Sequence, residues 1–303
     1  MANITAKDVA SLRERTGVGM MDCKKALVEA DGDFEQAIVI LREKGLASQA
    51  KKAGRVSAEG LVEAFVENGV GVVVEVNSET DFVANTDQFK AFVKTVAETI
   101  VKENPADVEA LKACKAVGSD LTVQEELQEL FLKIRENIQI RRFVRLEGDL
   151  VSYVHGEGRI GVLVQLDTDL GDKAYACGKD CALQIAAMSP AYLDRASVPA
   201  EVLEGEKKIV MAQMAEDPKM ASKPEAVLAK IAEGKLGKYY TENCLVEQEF
   251  VKDNEYTVGK YVEKCAKDLG GKIAIKQFVR YERGEGIAKK EENFAEEIAS
   301  MIK

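Results

Sequence analysis

The chain has 303 residues and a formal net charge of −10, with 46% hydrophobic and 31% charged residues. This is the balance of a folded globular protein, long enough for two domains or one elaborated domain. No apolar run approaches the roughly 20 residues of a membrane helix, and a net-negative chain is repelled by phosphate backbones unless its cations are segregated.

Residues 1–55 read as a helical module with a basic tail. Thr5 and Asp8 have the spacing of a capping box and open a first helix. Thr16-Gly17-Val18-Gly19 is a turn, and a second helix runs from Met20 to Ala30, closed by Asp31-Gly32. Asp33 can cap a third helix, where Phe34, Ala37, Ile38 and Leu41 form an apolar stripe. Gly45 is expected to end it, leaving Lys51-Lys52-Ala53-Gly54-Arg55 as a basic linker.

An internal repeat follows. Residues 59–76 and 147–166 each read as a β-hairpin, turning at Asn68-Gly69 and at Gly156-Glu157-Gly158. Each hairpin is followed by helices and then by a third strand, over 138–145 in one copy and 273–280 in the other. The fold class expected is therefore α+β, with two duplicated lobes carrying small antiparallel sheets. Their bounds are 56–147 and 148–283. A helical pair opened by Pro199 and Pro224 interrupts the second lobe at about 190–245. Thr257 starts another helix, with Val258, Tyr261, Val262, Cys265 and Leu269 inward. Residues 284–303 end in an amphipathic helix through Phe294, Ile298 and Met301.

The two copies differ at one corner. The first hairpin exits into Thr80-Asp81-Phe82-Val83-Ala84-Asn85, the second into Asp167-Thr168-Asp169-Leu170-Gly171, with no aromatic. A corner the fold required would be in both copies, so the Asp81-Phe82 pair reads as functional. The competing reading is a turn aromatic folded back on its own lobe.

Enzymatic signatures are missing. There is one histidine, His155, no tryptophan, and no G-x-S-x-G, P-loop or dinucleotide fingerprint. His155 stands in a hairpin turn without a partner nearby in sequence. The six cysteines are scattered, which favours reduced thiols. Cys177 and Cys181 share one helix face and read as core residues. The N-terminus has neither a signal-peptide nor a transit pattern. These readings make the protein a cytoplasmic, non-enzymatic one, with no cofactor, no metal, no nucleic acid and no membrane.

Several motifs in order resemble the elongation factor Ts family. They are Leu12-Arg13-Glu14-Arg15-Thr16-Gly17 with Met20-Met21-Asp22-Cys23-Lys24-Lys25-Ala26-Leu27, Glu75-Val76-Asn77 with Thr80-Asp81-Phe82-Val83-Ala84, His155-Gly156 with Arg159-Ile160-Gly161-Val162-Leu163, and Gly284-Glu285-Gly286-Ile287. The resemblance implies a guanine-nucleotide exchange factor that binds GDP-bound and nucleotide-free elongation factor Tu. It implies a ubiquitin-associated-like module at 1–55 docking on the GTPase, with Leu12, Met20, Met21 and Lys24 as contacts. Thr80, Asp81, Phe82 and Val83 would disturb the partner's magnesium and phosphate site, and Ile134 and His155 would add contacts. The insertion would match a dimerisation arm, implying a homodimer, and residues 284–303 a C-terminal module. Two positions depart from the pattern: Arg135 stands where the family often has Gly, and Glu249 where it usually has Pro. Gly205 lies inside the arm's first helix, at a cost of roughly 1 kcal/mol. Two other readings stand beside this one, an enzyme pairing His155 with Cys177 or Cys181, and a dimeric adaptor without exchange activity.

Overall fold

The computed structural model describes residues 4–216 and 224–288. The expected terminal helix through Phe294, Ile298 and Met301 lies outside the described residues.

The chain opens with α1 (Ala6–Thr16), α2 (Met20–Glu29) and α3 (Phe34–Lys52). Thr5 and Asp8 form the reciprocal capping box, and Gly17, at φ +69°, ends α1. Val9, Leu12, Cys23, Ala26, Leu27, Ala37 and Leu41 bury a common core. α3 does not stop at Gly45 but runs seven residues past it, taking in Lys51 and Lys52 of the expected linker. Gly45 is there for packing. A Cβ at this position would overlap Leu132, so a glycine lets the helix of the next lobe approach closely. Gly45→Val is expected to cost about 2 kcal/mol by overpacking, measured as a lower midpoint in chemical denaturation with the helical content retained.

Lobe 1 contains β1 (Glu59–Glu67), β2 (Val70–Ser78), α4 (Asp81–Ala84), α5 (Asp87–Glu103), α6 (Val108–Ala113), α7 (Val123–Ile134) and β3 (Gln139–Glu147). The sheet is antiparallel in the order β1-β2-β3. Strand alternation sends Leu61, Val72, Val74 and Val76 to one face, where Phe89, Val93, Val96 and Leu127 of α5 and α7 cover them. Lobe 2 repeats the plan with β4 (Asp149–His155), β5 (Ile160–Thr168), α8 (Tyr175–Met188), α9 (Ala200–Glu216), α10 (Glu225–Asn243), β6 (Glu249–Phe250), β7 (Asp253–Thr257), α11 (Val258–Leu269) and β8 (Ile273–Glu282). Its main sheet has the order β4-β5-β8. A small β6-β7 ribbon is added to the lobe, with β6 at the Glu249 departure from the family pattern. Leu269, expected to point inward, is exposed at the end of α11.

The faces of the two sheets not covered by helices meet each other. Val62, Ala64 and Val73 pack against Leu163, with Leu150, Val154, Val279 and Tyr281 around them. The result is a four-layer stack, helices–sheet–sheet–helices. Gly161 allows the approach, since a Cβ there would lie 2.5 Å from a Val62 methyl. The second hairpin's turn is tied to β1 as well, because Val62 N donates to Gly158 O at 2.8 Å.

α9 and α10 pair through Val210, Met214 and Ala232, with Leu228 and Ile231 beside them. α9 continues through Gly205, which touches nothing that would explain a glycine there. At the base of this arm, Tyr192 N donates to Asn243 O at 3.0 Å. Arg195 grips Glu247 with two bonds of 2.5 and 2.6 Å.

Candidate functional site

The corner after β2 is a one-turn helix rather than an irregular turn. Thr80 caps it in extended conformation, its Oγ1 accepting from Val83 N at 3.3 Å. Asn85 N closes the turn on Asp81 O at 3.0 Å. Thr86 then caps α5, a role that Asp81 and Asp87 do not take. Ala84 is buried and Val83 packs on the lobe 1 core. With those two side chains committed inward, Phe82 is turned out and is 83% exposed. Asp81 beside it is exposed too.

The second copy handles the same corner differently. Leu170 packs inward onto its own lobe, and the chain passes into a short 3-10 turn at Gly171–Ala174. The fold is thus satisfied by a corner whose apolar residue is inward, and the outward Phe82 is a feature of one copy alone.

The corner is held by residues the sequence reading did not single out. Thr80 N and Thr80 Oγ1 both donate to Glu136, at 3.0 and 2.7 Å. Glu79 accepts from Asn137 N at 2.7 Å and pairs with Arg55 at 3.2 Å. Asn137, buried, donates to the carbonyls of Ala53 and Arg55. Glu136 and Asn137 are more than fifty residues from the corner and from the module's end, so no local pattern could flag these contacts.

On the helical module, Met20 and Met21 are 39% and 64% exposed. Adjacent helical positions point about 100° apart, so α2 can expose both only because Cys23, Ala26 and Leu27 do its core packing. Lys24 is exposed one turn on. Leu12 differs from the expectation. It is fully buried in the module's core, so its part is to hold the helices together rather than to meet a partner. Ile134 is half-buried against the lobe 1 core.

Arg135, the residue in place of glycine, ends α7 with φ +66°. Its guanidinium meets Asp22 at 2.8 Å, and its carbonyl accepts from Lys52 Nζ at 2.5 Å. The module and lobe 1 are therefore stapled at the end of α7. His155 is exposed at the end of β4 and has a partner after all, since Tyr153 OH lies 2.9 Å from its Nδ1. Lys179 Nζ sits 4.6 Å over the Tyr153 ring.

The cysteine alternative finds no support in this arrangement. Cys177 and Cys181 are buried in the lobe 2 core. A hydrogen bond with Cys181 and burial push the Cys177 thiol well above its usual range, which leaves no thiolate to act as a nucleophile. Among the described residues no cluster fit to hold a metal ion was found, and no helix is long and apolar enough to cross a membrane.

A family model described as Elongation factor TS matches residues 79–285. An elongation factor Ts of Syntrophotalea carbinolica is 48% identical over 99% of both chains. The chain belongs to the elongation factor Ts family. Other elongation factor Ts relatives bear this out: one of Clostridium perfringens is 51% identical over 98% of this chain and 99% of its own, and one of Symbiobacterium thermophilum 49% identical over 98% of each. The elongation factor Ts match to the family model begins at Glu79, one residue before the capping Thr80, and ends at Glu285. It therefore takes in the Phe82 corner, Glu136, β3 and the whole β4-β5-β8 sheet, and leaves out β1 and β2.

Proposed function

We propose that this chain is the guanine-nucleotide exchange factor for elongation factor Tu in translation elongation, working in the cytoplasm. It binds the GDP-bound GTPase and presses Thr80, Asp81, Phe82 and Val83 beside its magnesium and phosphate site. The observation that carries the reading is Phe82, a large aromatic 83% exposed on a firmly capped corner.

A GTPase holds its nucleotide through backbone donors around the phosphates and a magnesium ion. An exchange factor makes and breaks no covalent bond. It must bind the nucleotide-free state more tightly than the nucleotide-bound one, and linkage then weakens nucleotide binding by the same ratio. Equal binding of both states would shift nothing. Phe82 is rigid and apolar, able to enter a pocket at low entropic cost. Asp81 competes for the polar groups that otherwise hold magnesium or phosphate.

A wedge needs a grip to act against. The module at 1–55 supplies it through Met20, Met21 and Lys24, while Ile134 and His155 add contacts from the two lobes. The C-terminal module at 284–303 belongs to the same grip. Met21→Ala is expected to raise the factor concentration needed for half-maximal exchange by about five- to tenfold, the loss of one exposed apolar anchor. The saturating rate should stay the same; a stopped-flow titration separates the two quantities.

The arm leaves Ile209, Met211 and Val227 exposed. We read the arm as the surface of a homodimer. The experiment that tests the whole proposal mixes the chain with elongation factor Tu carrying a fluorescent GDP analogue. Release should accelerate with factor concentration and then saturate. A complex that forms without faster release would favour the adaptor reading instead.

A further inference from the structure

Three consecutive residues after α7 touch both partner-facing regions. Arg135 reaches Asp22, the neighbour of Met21, at 2.8 Å. Glu136 receives the N–H and the hydroxyl of Thr80, at 3.0 and 2.7 Å, across 56 residues of sequence. Asn137 ties Glu79 to the end of the helical module through Ala53 and Arg55. The segment is itself anchored, because Arg135 N closes α7 on Phe131 O at 2.8 Å.

Thr80 is the N-cap of the corner's one-turn helix. Its hydroxyl donates to Glu136 while accepting from Val83 N. Glu136 therefore fixes the first turn of α4, and with it the direction in which Phe82 leaves the surface.

We propose that Glu136 is a positioning residue for Phe82, making its mount stiff enough to convert docking into nucleotide loss. This rests on the exchange-factor reading. An intruding side chain displaces its competitor only when its mount resists more than the pocket does. A corner that swivels lets the factor dock with the nucleotide still in place. Both nucleotide states are then bound alike, and release is not driven. Stiffness contributes here as preorganisation, because the cost of ordering the corner is met before binding.

The test is a titration of elongation factor Tu loaded with a fluorescent GDP analogue, reading the saturating release rate and the half-saturating factor concentration separately. Glu136→Ala is expected to lower the saturating rate about tenfold, as for the loss of a charge-assisted hydrogen bond, with half-saturation moved by no more than about twofold. Glu136→Gln should recover most of the rate, because its amide oxygen still accepts the Thr80 N–H. Should Glu136→Ala fail to fold, Thr80→Ala removes the methyl and the hydroxyl, with its bonds to Glu136 and Val83 N, but keeps the N–H bond to Glu136, and is expected to lower the saturating rate about threefold. Arg135→Gly loses a half-exposed ion pair and should change either quantity by about twofold at most. An undiminished rate in Glu136→Ala, or in Thr80→Ala if it stands in, with Phe82→Ala impaired, overturns the positioning role and leaves the wedge intact. Raised half-saturation at an unchanged rate overturns it too, making Glu136 a contact. Undiminished rates in both Glu136→Ala and Phe82→Ala overturn the wedge and the positioning role together.

Discussion

Phe82→Ala is expected to leave the fold intact and to reduce accelerated GDP release by about 2 kcal/mol, roughly thirtyfold, the scale of an interface hot spot. The side chain is 83% exposed and carries none of its own lobe's packing. Exposed substitutions away from caps and cores usually stay within about 0.5 kcal/mol. Thermal midpoint and circular dichroism should therefore match wild type while release slows. The second copy argues the same way, since it closes its corner with an inward Leu170. An outward aromatic is therefore not a demand of the fold. Unchanged release by a folded Phe82→Ala would remove the wedge from the mechanism.

Glu75→Ala is expected to have the largest effect on stability, about 3 kcal/mol, as for a buried ion pair that loses one member. Glu75 is 0% exposed. It sits on β2 beside a bulge in the pairing with β3, and it gathers four donors. Gly284 N reaches it at 2.8 Å and Asn77 Nδ2 at 3.1 Å. Arg141 and Arg142 reach it at 3.0 and 2.7 Å. The bond from Gly284 clasps the end of lobe 2 onto lobe 1. Gly284 has φ +69°, and a Cβ there would overlap the Ala58 carbonyl, so the clasp requires glycine. Arg141 closes it further by donating to Glu285 O at 2.6 Å.

This clasp has a pH signature. Burial pushes the Glu75 carboxyl up, but the Gly284, Asn77, Arg142 and Arg141 donors outweigh it and hold it below the ordinary 4.5. A depressed folded value means stability that is present above about pH 4.5 and lost as pH falls through the folded value. Chemical denaturation from pH 7 down to pH 3 should show that loss. In Glu75→Gln the curve should start lower and fall less steeply, because the titrating group is gone. An equally steep fall in the variant would assign the acid sensitivity to other carboxylates.

The repeat made the fold legible. Alternating strands and glycine turns occur twice in one order, and both three-stranded sheets follow from it. Caps at Thr5, Asp33 and Thr257 are local chemistry and were readable as such. Gly45 misled because a glycine that ends a helix and one that admits a neighbouring Leu132 look alike in one sequence. Leu12 sat inside a motif and turned out to be core. At the candidate site, the difference between the two copies singled out Phe82, but its outward direction was not readable, because it follows from Val83 and Ala84 turning inward. Glu136 and Glu75 were not, because their partners lie far along the chain. Nothing periodic marks a carboxylate that will meet a distant N–H.

The central claim is that the factor binds nucleotide-free elongation factor Tu more tightly than the GDP-bound form, and that Phe82 supplies much of the difference. It is tested most directly by measuring the affinity of wild type and Phe82→Ala for both forms of the GTPase by calorimetry. The account predicts a strong wild-type preference for the nucleotide-free form, reduced about thirtyfold in the variant. Equal wild-type affinities, or a preference that survives Phe82→Ala unchanged, would contradict it.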